Sequence, residues 1–225
     1  MNTKIILAFI TGVLLSGVAV HSYTGSQKAY KGSRKAQYPV EPLLIKRWSP
    51  RAMSGESISL KELMSLFEAA RWAPSSYNNQ PWRFIYALKG TPQWDKLFEL
   101  LVPFNKSWVK NAGALVLVLS KNTFDRNNEP SPTHSLDTGA ATENMLLQAT
   151  AMGLVSHGMG GFDYDRARKE LAIPDDYTVE ALYAFGRPAS ADVLPEELRS
   201  KEVPSDRKDL KELVFEGAFG TKGAA

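Results

Sequence analysis

From residue 59 onward the apolar positions follow two alternating periods. Leu60, Leu63, Met64, Phe67 and Ala70 fall three or four apart, the spacing of one helix face, and predict a helix running up to Arg71. Ser59 followed by Glu62 supplies a capping box at its start. WRFIYAL, 82–88, is β-branched and aromatic, ends at Gly90, and predicts a strand. Thr91-Pro92 then sets a cap and a proline at the first helical position, with Trp94, Leu97, Phe98 and Leu101 as that helix's buried face. ALVLVLS, 114–120, is apolar at six consecutive positions, the pattern of a strand covered on both faces. Leu136 to Leu154 reads as a long helix in which only Asp137 and Glu143 are charged. A helix so poor in charge is expected to be buried nearly all round, in a core or at a subunit interface. DRARKELAI, 165–173, predicts a short surface helix and VEALYAFG, 179–186, a further strand, while LKELVFE, 210–216, is ambiguous between helix and strand. The connections are too uneven for regular βαβ winding, so the expected class is α+β, one sheet covered by helices.

The start of the chain has a different pattern. Ile5 to Val20 carries no charge across 16 positions, whereas a spanning helix normally needs about 20. Lys28, Lys31, Arg34 and Lys35 follow it closely. By the inner-side preference for cations, this predicts a membrane anchor that leaves the downstream domain in the cytoplasm. A cleaved export signal is the competing reading, since small residues stand at plausible cleavage positions near 17–22. The chain thus divides into an anchor or signal over 1–22, a basic flexible tether over 23–42 and a folded domain over 43–225.

Composition narrows the chemistry. With 44% apolar and 23% charged residues, the chain as a whole has the balance of a soluble globular protein. The basic excess is confined to residues 28–35, without interleaved aromatics, which argues against a nucleic-acid surface. Cysteine is absent, which excludes disulfides, thiolate nucleophiles, iron–sulfur clusters and cysteine-held zinc. His21, His134 and His157 are the only histidines, and no two share a helical metal-binding spacing. No nucleophile elbow, Walker loop, post-strand G-x-G-x-x-G or H-E-x-x-H occurs.

Three separated clusters remain. In KRWSPR, Arg47, Ser49 and Arg51 alternate, so extended backbone would point two guanidiniums and a hydroxyl to one side, as suits a phosphate dianion. The bland alternative is a solvated basic segment. RWAPSSYNNQPWRF packs Ser75, Ser76, Asn78, Asn79 and Gln80 into six positions. Their amides and hydroxyls suit the polar edge of a heterocycle, with Pro81 and Trp82 as apolar walls, or an elaborate turn. In HGMGGFD, 157–163, three glycines permit close approach to a ring, or merely end a helix.

Taken in order, KRWSPR, APSSYNNQPWRF, a long buried helix, LVSHGMGGFD, AFGRPA and RKDLKELVFEG resemble the nitroreductase family over roughly residues 43–219. The resemblance implies an α+β homodimer with a mainly antiparallel sheet and FMN at the interface. It implies an FMN-dependent enzyme that moves hydride from NADH or NADPH to a planar acceptor such as a nitroaromatic, quinone or enone. A flavin-dependent dehalogenase of the same family and a non-catalytic, membrane-tethered flavin-binding module are the alternatives. By the same likeness, Arg47, Ser49 and Arg51 would meet the flavin phosphate and ribityl chain, and Ser75, Ser76, Asn78 and Gln80 the ring edge. Gly158, Gly160 and Gly161 would run close to the ring, and Arg207 or Lys208 would close on the phosphate. No side chain is implied as a dedicated acid or base. Gly158 and Gly160 depart from members with proline and an acidic residue there, which leaves the nicotinamide preference open.

Overall fold

The computed structural model describes residues 34–221. Four strands, β1 (Trp82–Leu88), β2 (Ala114–Lys121), β3 (Val155–Met159) and β4 (Tyr177–Gly186), form one sheet in the order β1-β2-β4-β3. Every pairing is antiparallel. Seven helices surround it: α1 (Pro42–Lys46), α2 (Leu60–Arg71), α3 (Pro92–Glu99), α4 (Pro103–Val109), α5 (His134–Ala151), α6 (Tyr164–Glu170) and α7 (Glu196–Arg199).

Strand β2 organises the core. Side chains along a strand alternate between faces. Leu115, Leu117 and Leu119 therefore enter one layer, with Trp94, Leu97, Trp108, Ala167 and Leu198 from α3, α4, α6 and α7. Ala114, Val116 and Val118 enter the other, with Leu63, Leu66 and Ala70 of α2 and Ala141, Met145 and Ala149 of α5. A strand buried on both faces is what its unbroken apolar run predicts. The capping box at Ser59 is formed in both directions, with Ser59 Oγ accepting from the Glu62 amide at 3.2 Å and Glu62 accepting from the Ser59 amide at 2.9 Å.

Four elements escape the periodicity reading, the short helices α1 and α7 together with α4 and β3. Helix α4 begins with Pro103 at its first position but is only seven residues long, too short for a repeat to register. Strand β3, VSHGM, is an edge strand that contains Gly158, and its glycine suggested a helix exit instead. Residues 210–216 resolve as a 3-10 turn over Leu210–Glu212. Helix α5 buries one face against the sheet and α2, while Leu136 on it is 73% exposed. The described end of the expected tether is tied down, since Gln37 pairs with Asp209 and with the Leu210 amide.

The expectation of a membrane anchor, with its transmembrane helix and membrane-bound placement, is corrected. Among the described residues no helix is long and apolar enough to cross a membrane. The apolar run over 5–20, on which that expectation rested, lies outside the described residues. As a helix its 16 residues would rise only about 24 Å, short of a hydrocarbon core of about 30 Å.

Candidate functional site

The basic segment leaves α1 in extended conformation, with Arg47 at φ −63° and ψ 125°. Arg47 reaches α5, where its Nε lies 3.4 Å from Glu143 Oε1, and its Nη1 points to Ser49 Oγ at 3.4 Å. The Ser49 carbonyl accepts from His157 Nδ1 on β3 at 2.7 Å. That bond fixes the proton on Nδ1 in the neutral ring. His157 in turn packs on Trp108 of α4, with ring centroids 4.8 Å apart, and the Arg51 guanidinium lies 5.9 Å from the Trp108 ring centre. Beneath the segment, the amides of Arg51 and Ala52 both donate to Glu202 Oε1 at 2.7 Å. Three distant parts of the chain thus hold this short loop from below. Burial, and then the positive charge of Arg51, push the His157 pKa down to about 4.

Arg207 hydrogen-bonds locally, to Ser205 Oγ at 3.2 Å and to the Asp206 carbonyl at 3.0 Å. Its charge nevertheless acts on Glu143, as does that of Arg47. Lys208, its exposed neighbour, has no such influence on that carboxyl among the described interactions. Arg47, Ser49 and Glu143 therefore form one group, and the Arg207 charge is felt at its carboxylate.

The glycine segment joins it through β3. Gly158 faces Tyr183 of β4, and a Cβ on Gly158 would lie 2.6 Å from a Tyr183 ring carbon. Tyr183, Glu143, Glu180, Ser135, Thr138 and Thr142 line a cleft of about 260 Å³ between α5 and β4. Gly160 is exposed, with Tyr164 Oη 3.6 Å from where its Cβ would stand. Gly161 has a structural duty, because its carbonyl accepts from Asn105 Nδ2 at 2.9 Å and from the Val102 amide at 3.2 Å.

The polar connection over 75–80 explains much of its own composition. Tyr77, Asn78 and Gln80 sit at φ 51°, 53° and 49°, left-handed backbone that side-chain-bearing residues rarely adopt. Each costs on the order of 1 kcal/mol and needs outside support. Ser75 Oγ accepts the Gln80 amide at 3.0 Å, and buried Asp137 at the start of α5 accepts the Ser76 amide at 3.0 Å. Asn79 bridges to the Thr123 carbonyl at 3.3 Å and the Asp125 amide at 2.9 Å. Tyr77, Asn78 and Gln80 instead line an open cavity with Arg83 and Arg126, and Arg126 lies 3.8 Å over the Tyr77 ring. Pro81 and Trp82, expected as apolar walls, are buried, and Trp82 packs into the core beneath α2 and α5, because strand β1 turns it inward.

The polar connection and the basic loop meet α5 at different places. Ser76 is held at Asp137 and Arg47 at Glu143, six residues further along α5. That spacing is about 9 Å along the axis and about 120° around it. Motif reading missed Glu143, Tyr183, Trp108 and Glu202, none of which belongs to a spaced pattern, and gave His157 of HGMGGFD no role. A Ser–His–Glu contact also occurs, with Ser120 Oγ 2.7 Å from His134 Nδ1 and 2.5 Å from Glu180 Oε1. Ser120 is fully buried, which closes its hydroxyl to substrate.

Comparison with known proteins converges on one group. A family model described as "Nitroreductase family" matches residues 44–101 and 87–187. A crystal structure described as an oxidoreductase containing FMN is 42% identical, with a TM-score of 0.82 over 86% of this chain and 99% of the other. A nitroreductase solved in complex with FMN from Desulfovibrio desulfuricans is 29% identical, with a TM-score of 0.63 over 82% of this chain and 99% of that one. A protein of Archaeoglobus fulgidus named for NADH dehydrogenase/NAD(P)H nitroreductase is 29% identical over 150 residues, 65% of this chain and 83% of its own length.

Proposed function

The chain belongs to the nitroreductase family, and from that premise we propose that it is an FMN-dependent oxidoreductase fed by NADH or NADPH. Bound FMN supplies the redox chemistry, accepting hydride from the nicotinamide and reducing a planar acceptor such as a nitroaromatic, a quinone or an enone. The observation that supports the reading is the pairing of Arg47 with Ser49 at 3.4 Å on a loop that His157 ties to the glycine-bearing strand β3. Two guanidiniums and a hydroxyl suit a phosphoester dianion, through charge-assisted hydrogen bonds. The residues present also leave capacity for a ligand. Arg51 Nε is buried without a hydrogen-bond partner, and Gly160 is exposed with no side chain of its own.

Each cluster has a separate task. Arg47, Ser49 and Arg207 bind the phosphate end, with Arg207 favoured over Lys208 because its charge, like that of Arg47, acts on Glu143. Arg51 stiffens the loop through Trp108 and lends its charge to the ribityl side. Gly158, Gly160 and Gly161 keep β3 and its exit bare so that a flat ring can lie close. Ser75, Ser76, Asn78 and Gln80 present the polar edge partner, from a turn held rigid by Asp137 and Asn79.

Homodimerisation is part of the reading. A single copy holds the polar connection and the basic loop at different faces of α5. Two copies sharing an interface along α5 would supply both to one ring. Leu136, Trp72 and Tyr77 are large apolar side chains left 73%, 72% and 71% exposed, which suits burial against a second copy.

Initial-rate kinetics test the function. With FMN loaded, varying nicotinamide against a nitroaromatic or quinone acceptor should give parallel double-reciprocal lines, as the oxidised nicotinamide leaves before the acceptor binds. FMN-loaded protein that oxidises neither NADH nor NADPH would reduce the reading to flavin binding alone.

A further inference from the structure

The group proposed to hold a phosphoester contains a carboxylate of its own. Glu143 Oε1 is 3.4 Å from Arg47 Nε, with the glutamate side chain 47% exposed and the arginine 14%. The charges of Arg47 and Arg207 both act on this carboxyl, and the Tyr183 hydroxyl lies within its electrostatic reach. Burial pushes the Glu143 pKa above its ordinary value, and the two arginines only partly pull it back. The carboxylate is therefore a half-exposed anion, steadied by the two cations as well as by solvent. Its contact with Arg47 is at Nε, while Nη1 turns to Ser49, so a five-donor guanidinium keeps capacity for a second anion. A phosphate arriving between Arg47 and Arg207 meets a like charge there.

Resting on the reading above that Arg47 and Arg207 hold the flavin phosphate, we infer that Glu143 is a placeholder anion. It neutralises the clamp before flavin arrives, swings aside toward solvent when the phosphate binds, and so limits the affinity for FMN relative to riboflavin. Two other roles are chemically distinct. A carboxylate that only orients Arg47 would be needed for tight FMN binding. One that accepts from ribityl hydroxyls would help FMN and riboflavin equally.

The test uses the full-length chain stripped of flavin, with Kd for FMN and for riboflavin measured by quenching of flavin fluorescence. Glu143→Gln keeps the shape and removes the charge. It should tighten FMN about three- to ten-fold, the scale of one half-exposed like-charge contact, and leave riboflavin within about two-fold. Inorganic phosphate should compete against FMN more strongly in the variant by a similar factor. Glu143→Asp, which retains the charge, should keep the FMN-to-riboflavin ratio near that of the unaltered protein. Weaker FMN binding by Glu143→Gln, or an equal change for both flavins, would overturn the placeholder role. Unaltered protein that binds neither flavin would overturn the cofactor reading itself, a separate result.

Discussion

Lowering the pH should weaken the protein through one histidine. His157 is held neutral in the fold, with its pKa near 4 rather than the ordinary 6.5, because burial and Arg51 oppose the charged ring. Unfolding frees the ring to bind a proton below pH 6.5. The stability tied to the neutral ring is therefore fully present above that pH and drains away as pH falls toward 4. The gap of about 2.5 pKa units corresponds to roughly 3 kcal/mol in full, of which about 2 kcal/mol is lost by pH 5. Urea unfolding of the flavin-free protein from pH 7.5 to pH 4.5 measures the loss. Other groups titrate as well, so the comparison is with His157→Asn, whose amide keeps a donor near the Nδ1 position for the Ser49 carbonyl but does not titrate. That variant should be less stable at pH 7.5, because it gives up packing on Trp108, yet it should lose about 2 kcal/mol less than the unaltered protein between pH 7 and pH 5. Parallel stability curves for the two proteins would refute the reasoning, because His157 would then carry no linked proton.

Three further outcomes follow from the same contacts. Arg47→Ala should weaken FMN by about ten- to a hundred-fold with little effect on riboflavin, the loss of one charge-assisted contact, whereas Arg51→Ala, which also gives up its packing on Trp108, should weaken both flavins and lower the melting temperature. Gly158→Ala drives a Cβ to 2.6 Å from the Tyr183 ring and should weaken FMN and riboflavin alike, and combining it with Tyr183→Ala should recover part of the loss in a double-mutant cycle. Ala172, which ends α6 at φ 51°, should gain about 0.5–1 kcal/mol on conversion to glycine, seen as a melting temperature raised by a few degrees without change in flavin affinity.

Much of the fold was legible because its signals are local. The apolar run of β2, the capping box at Ser59 and the proline after Thr91 each report a constraint carried by neighbouring residues. The α+β class and the antiparallel sheet agree with the structural relatives. Strand β3 was not legible, since a five-residue edge strand with an internal glycine has neither length nor alternation. Its reason for existing lies across the sheet, in the Tyr183 ring that leaves no room for a side chain at position 158. The same holds for the groups around the basic loop. Glu202 binds the Arg51 amide across 151 residues of sequence and His157 binds the Ser49 carbonyl across 108, and spacing does not report contacts of that range. The density of polar groups over 75–80 does not report that Ser75 and Asn79 also hold three left-handed residues in place.

The most direct test of the central claim is the cofactor carried by the full-length protein after purification. It should be yellow, with the two visible absorption bands of oxidised flavin, and acid should release FMN rather than FAD at close to one per chain. Anaerobic NADH or NADPH should bleach those bands, and a nitroaromatic or quinone should restore them. A colourless protein that takes up no added FMN would contradict the claim, whatever its resemblance to flavin enzymes.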